Sequence, residues 1–316
     1  YTCWVVVEAA LLAGKEVEFV DIDLKTYEMD VYTLEKKLVS DSIILATHQF
    51  GIPCKIEEIL EIAKRKKARV IEDNAASFGS TINGKKTGTF GEASILSFEY
   101  SEVLTSGKGG AAVFQNEELY EKVKNMDLPS PPFPLIFNVL SNLNFQKIIT
   151  SPLVFSKILR ASFIKLFGYT TGYPQYHEKP DKHYLYKYSP FLAYVGKKNF
   201  TRIELIIQRR RKIAQKYINA LSQFEDFFSL FHIPPHSEVS LMRFPLRLKK
   251  FPKKVFSSMM AKEGIDVGFT FSYSCVNSCE FPNALRAAKE VINLSLYSTL
   301  NEEHVEKVIQ GIKKIT

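Results

Sequence analysis

A chain of 316 residues with 46% apolar and 24% charged residues has the composition of an ordinary folded protein, which excludes a disordered chain or a repeat array. Its length favours one large and one smaller domain over a single core. The net charge of +8 sets 42 Lys and Arg against 34 Asp and Glu, and the four cysteines form neither a disulfide framework nor a zinc-site spacing, so no metal site is expected and a reducing, cytoplasmic setting fits.

The chain opens at Tyr1 without an initiator methionine or a polar lead-in, which reads as the loss of an N-terminal piece. Residues 4–13 read as a buried helix stopped at Gly14. Val17 to Asp21 reads as a short strand and Thr33 to Leu38 as a helical turn or two. Ser42 to Thr47 is a continuous apolar strand ending in His48. Ile56 to Lys66 carries apolar residues at helical spacing. Arg69 to Asp73, Ser94 to Phe98 and Gly110 to Phe114 are further buried-type strands.

The segment 128–180 differs. It is Pro-rich at its start and has no Asp or Glu from Leu128 to His177, while Lys147, Lys157, Arg160 and Lys165 add positive charge. The prolines argue against a membrane span between Leu128 and Gln146. Ile148 to Phe167 has the pattern of one or two amphipathic helices. Two readings stay open for it: an insertion packed on its own domain, or an interfacial helix over 146–167 in peripheral contact with a membrane. Residues 190–222 give the longest helical pattern. Its run Arg209-Arg210-Arg211-Lys212 reads as a solvated face, because no aromatic residues interleave as nucleic-acid stacking would require; no nucleic-acid partner is expected.

The remainder reads as a small α+β unit. Leu241 to Leu248 is a strand, Lys254 to Glu263 a helix and Ile265 to Val267 a short strand. Asn283 to Glu290 is a helix, Val291 to Leu296 a strand, and Asn301 caps a last helix to Lys314. Strands alternating with helices predict an α/β fold with a mostly parallel sheet. Ligands in such sheets bind beyond the carboxyl ends of the strands, where His48, Asp73 and Ser97 fall.

These segments together resemble the DegT/StrS-type nucleotide-sugar aminotransferases, fold-type I enzymes dependent on pyridoxal 5'-phosphate (PLP). The matching motifs are Val20-Asp21-Ile22-Asp23, His48-Gln49-Phe50-Gly51, Val70-Ile71-Glu72-Asp73-Asn74-Ala75-Ala76, Thr89-Phe90-Gly91, Ser97-Phe98, the glycines 107, 109 and 110, Ser189-Pro190-Phe191-Leu192-Ala193, Pro282-Asn283-Ala284 and Leu294-Ser295-Leu296-Tyr297. The resemblance spans nearly the whole chain outside 128–180. It implies a large PLP-binding α/β domain over 1–127, an insertion over 128–180, and a helix with a smaller α+β domain over 181–316, assembled as a homodimer.

The resemblance also implies roles. Asp73 would pair with the pyridine nitrogen of the cofactor. Ser97 would hydrogen-bond its phosphate. Cys3 stands where the family places an aromatic ring over the pyridine, and Ala76 where it has Gln or His near the ring hydroxyl. The substrates would be a nucleotide-linked keto sugar and an amino donor such as glutamate, serving polysaccharide biosynthesis.

The departures matter more. Glu102 occupies the position of the Schiff-base lysine, and a carboxylate cannot supply the amine. Leu185 and Lys187 replace the family's asparagine and arginine, Ser295 replaces a proline, and no Gly-Ser-Gly-Thr phosphate loop precedes Tyr1. Lys108, six residues after Glu102, is a candidate substitute amine or a surface loop lysine. Three functions follow: an aminotransferase impaired at Glu102, a lysine-less sugar dehydratase using pyridoxamine 5'-phosphate (PMP), or a non-catalytic member.

Overall fold

A computed structural model of the chain describes residues 1–149, 185–271, 273–275 and 279–316. Helix α1 (Trp4–Leu12) buries Trp4, Val7 and Glu8 but leaves Val5 and Leu11 exposed, so only one face of this helix, apolar except for Glu8, is covered. Gly14 follows it at φ +67°. Val17 to Asp21 is not a strand. No neighbour pairs with its backbone in a ladder; instead the Asp21 carboxylate accepts the amide N–H groups of Asn283 and Ala284 at 3.0 and 2.9 Å, and the Phe19 carbonyl accepts from Lys37 Nζ. The segment is therefore held by its side chain to the far end of the sequence.

Asp30 caps α2 (Val31–Lys37) by accepting from Thr33 N at 2.8 Å. Then come β1 (Ile43–Thr47), α3 (Ile56–Lys66), β2 (Arg69–Asp73), the hairpin β3 (Thr81–Ile82) and β4 (Lys85–Lys86), β5 (Ala93–Ser97) and β6 (Gly110–Phe114). Strands β1, β2 and β5 are parallel neighbours and β6 closes the sheet antiparallel, in the order β1-β2-β5-β6. Helix α3 lays Ile56, Ile59, Ile62 and Ala63 over Ile44, Ala46 and Val70 of this sheet, as its 3.6-residue periodicity requires.

Helices α4 (Glu117–Lys124) and α5 (Phe133–Ile149) follow. The α5 helix forms despite Pro132 and Pro134, because both stand at or before its first turn, where a missing N–H costs nothing. Among the described residues no helix is long and apolar enough to cross a membrane. The amphipathic pattern expected over Ile148 to Phe167, and with it the membrane-contact reading of 146–167, lies almost wholly outside the described residues.

The pattern over 190–222 is two helices, α6 (Pro190–Phe200) and α7 (Ile203–Leu221), broken where Arg202 adopts φ −114°, ψ 7°. Ser189 is the N-cap residue and Pro190 the first helical residue of α6. Beyond come β7 (Phe228–Ser229), β8 (Ser237–Glu238), β9 (Phe244–Leu248), α8 (Lys253–Lys262), α9 (Pro282–Glu290), β10 (Val291–Leu294) and α10 (Glu302–Lys313). Strands β10, β9 and β7 form an antiparallel sheet. Ile265 to Val267 is not a strand; only Gly268 bridges to Asn293.

Strand β8 adds to the β3–β4 hairpin, so residue 81 pairs with residue 238. The larger apolar core likewise joins both ends of the chain, with Tyr1, Ile22, Tyr27 and Phe50 packed in one cluster with Phe244, Phe271, Val291 and Leu294. Phe50 contacts the rings of Tyr1, Tyr27 and Phe271 at 5.3 to 6.3 Å.

Candidate active site

Parallel pairing decides which side chains meet. Thr47 stands beside Asp73 at the carboxyl end of β1 and β2, and Asp73 is opposite Ile95 of β5, so Ser97 emerges two residues further along at the same end. The side chains of Glu72 and Asp73 point to opposite faces, as successive strand residues must. Glu72 faces inward, away from any ligand. Its carboxylate accepts from the N–H groups of Gly88, Phe90 and Gly91 at 2.6–2.7 Å and from His48 Nε2 at 2.9 Å. Burial pushes its pKa up, but the His48 hydrogen bond and the Gly91 and Gly88 amides outweigh it and leave the carboxyl below its usual range. His48 Nδ1 accepts from Cys54 N at 3.0 Å, which assigns the proton to Nε2. Both ring nitrogens are thus used in a fully buried turn, and His48 braces the fold rather than the site.

Asp73 is the buried acid of the strand ends. It is only weakly satisfied: Oδ1 accepts from Ala75 N at 3.2 Å and Oδ2 from Thr47 Oγ1 at 3.4 Å, with Thr47 in turn 3.4 Å from Thr2 Oγ1. Burial raises its pKa, opposed by the Ala75 amide, His48 and Thr47. Cys3, at the N-cap of α1, stands near enough for its thiol to feel both Asp73 and Tyr273. Burial chiefly pushes that thiol up to about 11. Ala76 is buried in the turn after β2.

Glu102 sits in the loop between β5 and β6. This loop closes on itself: Phe98 N donates to Gly109 O at 2.9 Å, Ser106 N to Phe98 O at 3.0 Å and Glu102 N to Glu99 O at 3.2 Å. The buried Val103 and Leu104 anchor it directly after Glu102. Gly109, at φ +110°, lies flat under the Tyr188 ring, where a Cβ would collide with it. The Tyr188 hydroxyl donates to Ser106 Oγ at 2.6 Å.

So held, the Glu102 carboxyl is pushed up to about 8, first by burial and then by the charge of Asp73; Arg243 and the Ser97 hydroxyl pull the other way, and Glu99 adds a small further rise. One of its oxygens, Oε2, is fully buried and has no hydrogen-bond partner. Asp73, Ser97 and Glu102 are therefore brought together as the sequence motifs implied. Lys108 is not. Its amine lies 3.9 Å from Glu99 Oε1 with both side chains about half exposed, on the outside of the loop. Lys187 is also peripheral, paired with Asp127 at 3.0 Å.

Sequence reasoning missed the two arginines. Arg210 belongs to the basic run read as a solvated face, yet it is 5% exposed. Its Nε donates to Leu241 O at 3.0 Å and its Nη2 to Met242 O, and burial lowers its pKa to about 10. Arg211 adds bonds to Val239 O and Gly79 O. Ser240 N donates to Ser80 Oγ and Met242 N to Phe50 O, both at 2.8 Å. The turn 239–242 is thus laced to three elements, and it presents Arg243. The Arg243 Nε is buried without a partner. Arg243 lowers the Glu102 pKa through its charge, while Glu102 Oε2 and Arg243 Nε each lack a hydrogen-bond partner. The signal available in sequence was position: α7 has a 3.6-residue apolar stripe of Ile203, Ile207, Ile213, Ala214 and Tyr217, and Arg210 falls on it.

A pyridoxal-type cofactor can be tested against these residues. A protonated ring nitrogen matches Asp73, whose carboxylate is buried, weakly bonded and short of a cation. Ser97 offers a hydroxyl at the same strand ends. Both fit. Position 102 offers a carboxyl, so the residues fit the ring but do not supply the amine that an aldehyde form would condense with. A separate surface cavity of about 450 Å³, lined by Leu60, Ala63, Val70, Phe90 and Gln115, lies at the opposite, amino-terminal end of β2 and β5 and has no part in this arrangement.

The family model for the DegT/DnrJ/EryC1/StrS aminotransferase family matches residues 1–313. GDP-perosamine synthase of Escherichia coli O157:H7 is 39% identical over 117 residues, 37% of this chain and 32% of the enzyme. GDP-4-keto-6-deoxy-D-mannose 3-dehydratase of Escherichia coli O55:H7 is 38% identical over 109 residues, 34% of this chain and 28% of the enzyme. Each match thus spans about a third or less of the relative's own length. Among solved structures, the PMP-form of Spr1654 from Streptococcus pneumoniae superposes with a TM-score of 0.76 at 19% identity, covering 99% of this chain and 79% of that one.

Proposed function

The chain belongs to the DegT/DnrJ/EryC1/StrS aminotransferase family, and from that premise we propose that it binds a vitamin B6 phosphate at the strand ends and acts on a nucleotide-linked keto sugar in polysaccharide biosynthesis, with amino transfer from a donor such as glutamate impaired by Glu102. The observation that carries this reading is the meeting of Asp73, Ser97 and Glu102 at one end of the β1-β2-β5 strands.

When bound, the cofactor supplies an electron sink for the carbon that gains or loses the amine. The chain's own residues do the rest. Asp73 holds a proton on the ring nitrogen through a buried charge pair. Ser97 orients the phosphate. Cys3 and Ala76 would border the ring, and the Thr2–Thr47 pair steadies Asp73. Glu102, with its pKa raised to about 8, holds a proton near neutral pH and exchanges it with a neighbouring group. It cannot act as an amine nucleophile.

The test is absorbance spectroscopy with added PLP on the chain and on Glu102→Lys. The variant is expected to develop a covalent chromophore and to transfer an amine from glutamate to a keto sugar nucleotide, while the parent chain does neither. A chromophore in neither protein, with both folded, would sink the cofactor reading and leave a non-catalytic family member.

A second reading, a lysine-less sugar dehydratase using PMP, is favoured by two observations: the carboxyl at 102 and the similarity to a 4-keto-6-deoxy sugar 3-dehydratase over about a third of the chain. Incubating the parent chain with PMP and a 4-keto-6-deoxy nucleotide sugar separates the readings. Release of a deoxy sugar supports dehydration, and an unchanged sugar counts against it.

A further inference from the structure

A buried donor without an acceptor is a costly feature, because its desolvation is not offset by a hydrogen bond. Arg243 Nε is in that state. The turn that carries it is fixed by the bonds of Arg210 to Leu241 O and Met242 O, of Ser240 N to Ser80 Oγ and of Met242 N to Phe50 O. Glu102 Oε2 is likewise buried without a partner. Burial and Asp73 raise the Glu102 carboxyl to about 8, against the pull of Arg243 and of a Ser97 hydrogen bond, so near neutral pH it is the protonated acid, a donor as well as an acceptor. In that form it does not offset the charge of Arg243. Arg210 is a second cation at the same place: burial first, then Arg243, lower its pKa to about 10. Of the other acids that act on Glu102, Glu99 is about half exposed beside Lys108, and Asp73 is the partner assigned to the ring nitrogen. Position 102 and Arg243 together therefore present donors and positive charge, and they call for a group that only accepts.

We propose that Arg243 is a specificity-determining residue which, with Glu102, holds a carboxylate on the sugar of the nucleotide-linked substrate, so that the chain takes a sugar acid in preference to the corresponding neutral sugar. The proposal rests on the reading of the strand ends as a sugar-nucleotide site and names the substrate class of that site. A carboxylate is planar, only accepts, and takes donors from a guanidinium and an acid hydroxyl at once. In a hexuronic acid it hangs from C5, next to C4, so holding it beside position 102 also brings C4 to the reacting end of the strands. An amino acid fits less well, because its ammonium needs an acceptor beside the carboxylate where position 102 offers a donor.

The test compares ligands that differ at one group. Binding of UDP-glucuronate against UDP-glucose, and of GDP-mannuronate against GDP-mannose, is measured by titration calorimetry on the full chain with added PLP. Base and diphosphate are common to each pair, so the difference reads the group on C5 alone. In at least one pair the acid is expected to bind about tenfold or more tighter at neutral pH, the size of one charge-assisted hydrogen bond. Arg243→Met is expected to lose that preference while keeping its affinity for the neutral sugar nucleotide. In the parent chain the preference is expected to fall as pH rises through about 8, where Glu102 ionises, offsets Arg243 and repels the ligand; in Glu102→Gln it is expected to stay level. Equal affinities within both pairs, a preference that survives Arg243→Met, a parent preference that does not change with pH, or an Arg243→Met loss confined to L-glutamate would each overturn the proposal. The parent-chain comparison decides even where a variant fails to fold. Equal binding within the pairs leaves the sugar-nucleotide reading standing; binding of none of the four removes both.

Discussion

At the scale of single residues, two glutamates show how placement sets the sign of a titration. Glu72 is buried but meets three amides and His48, so its carboxyl is stabilised as the anion. Its contribution is present above the ordinary value of 4.5 and is lost as pH falls through its lowered folded value. Glu72→Gln is expected to cost about 3 kcal/mol, since it leaves amide N–H groups facing an NH₂; chemical denaturation near neutral pH reads this directly. Glu102 behaves oppositely. Its folded value, about 8, lies above the 4.5 of the unfolded chain, so the folded state holds the extra proton between them. Stability from this group is full below 4.5 and declines as pH rises through about 8. Glu102→Gln is expected to remove this decline, on the order of 2 kcal/mol between those limits after allowance for screening. Melting curves of both proteins across that range check it, and parallel curves would contradict it. That 73, 97 and 102 gather at the strand ends was legible from residue type and motif order. The orphan oxygen on Glu102 was not, because satisfaction depends on what other segments fail to reach.

At the scale of elements, α7 is where sequence reasoning met its limit. A run of four cations reads as solvent-facing, and Arg209 and Lys212 are indeed exposed. Arg210 is rotated by one residue onto the buried stripe and spends its guanidinium on the carbonyls of Leu241 and Met242. Its role is positioning: it sets the turn from which Arg243 faces Glu102. Arg210→Met keeps the apolar stem but strands two buried carbonyls, at an expected cost of about 2–4 kcal/mol. Because Arg243 would then be freed from its turn, the same variant is expected to change the Glu102 titration. Thermal melts combined with the pH profile distinguish this from a packing defect, which would move the melt alone. Helix α5 was missed for the opposite reason: prolines that break a helix interior are compatible with its first turn.

For the whole molecule, the larger core packs Tyr1, Ile22, Tyr27 and Phe50 on the C-terminal sheet, while β1 and β2 pack with α3 in a second cluster. The β8 strand completes the β3–β4 hairpin, and Gly51, at φ +99°, packs so closely on Ser240 and Leu241 that a Cβ would strike the Ser240 carbonyl. Exposed apolar residues remain elsewhere: Phe133 and Phe137 on α5, Phe191 and Tyr194 on α6. Surface of this kind is suited to a second copy of the chain, and sedimentation equilibrium is expected to give a dimer mass; a monomer across the micromolar range would refute it. The sequence by itself determined the α/β class, the parallel strands and which polar residues stand at their carboxyl ends. Apolar periodicity is a local property, and the carboxyl end of a parallel strand is where its last polar residue must emerge. Tertiary structure alone decided that His48 serves Glu72, that Val17 to Asp21 is tied by Asp21 to α9 instead of forming a strand, and that Arg210 and Arg243 approach Glu102. Each of those depends on contacts between segments tens to hundreds of residues apart, and charge at such a distance along the chain carries no mark of the partner it will meet.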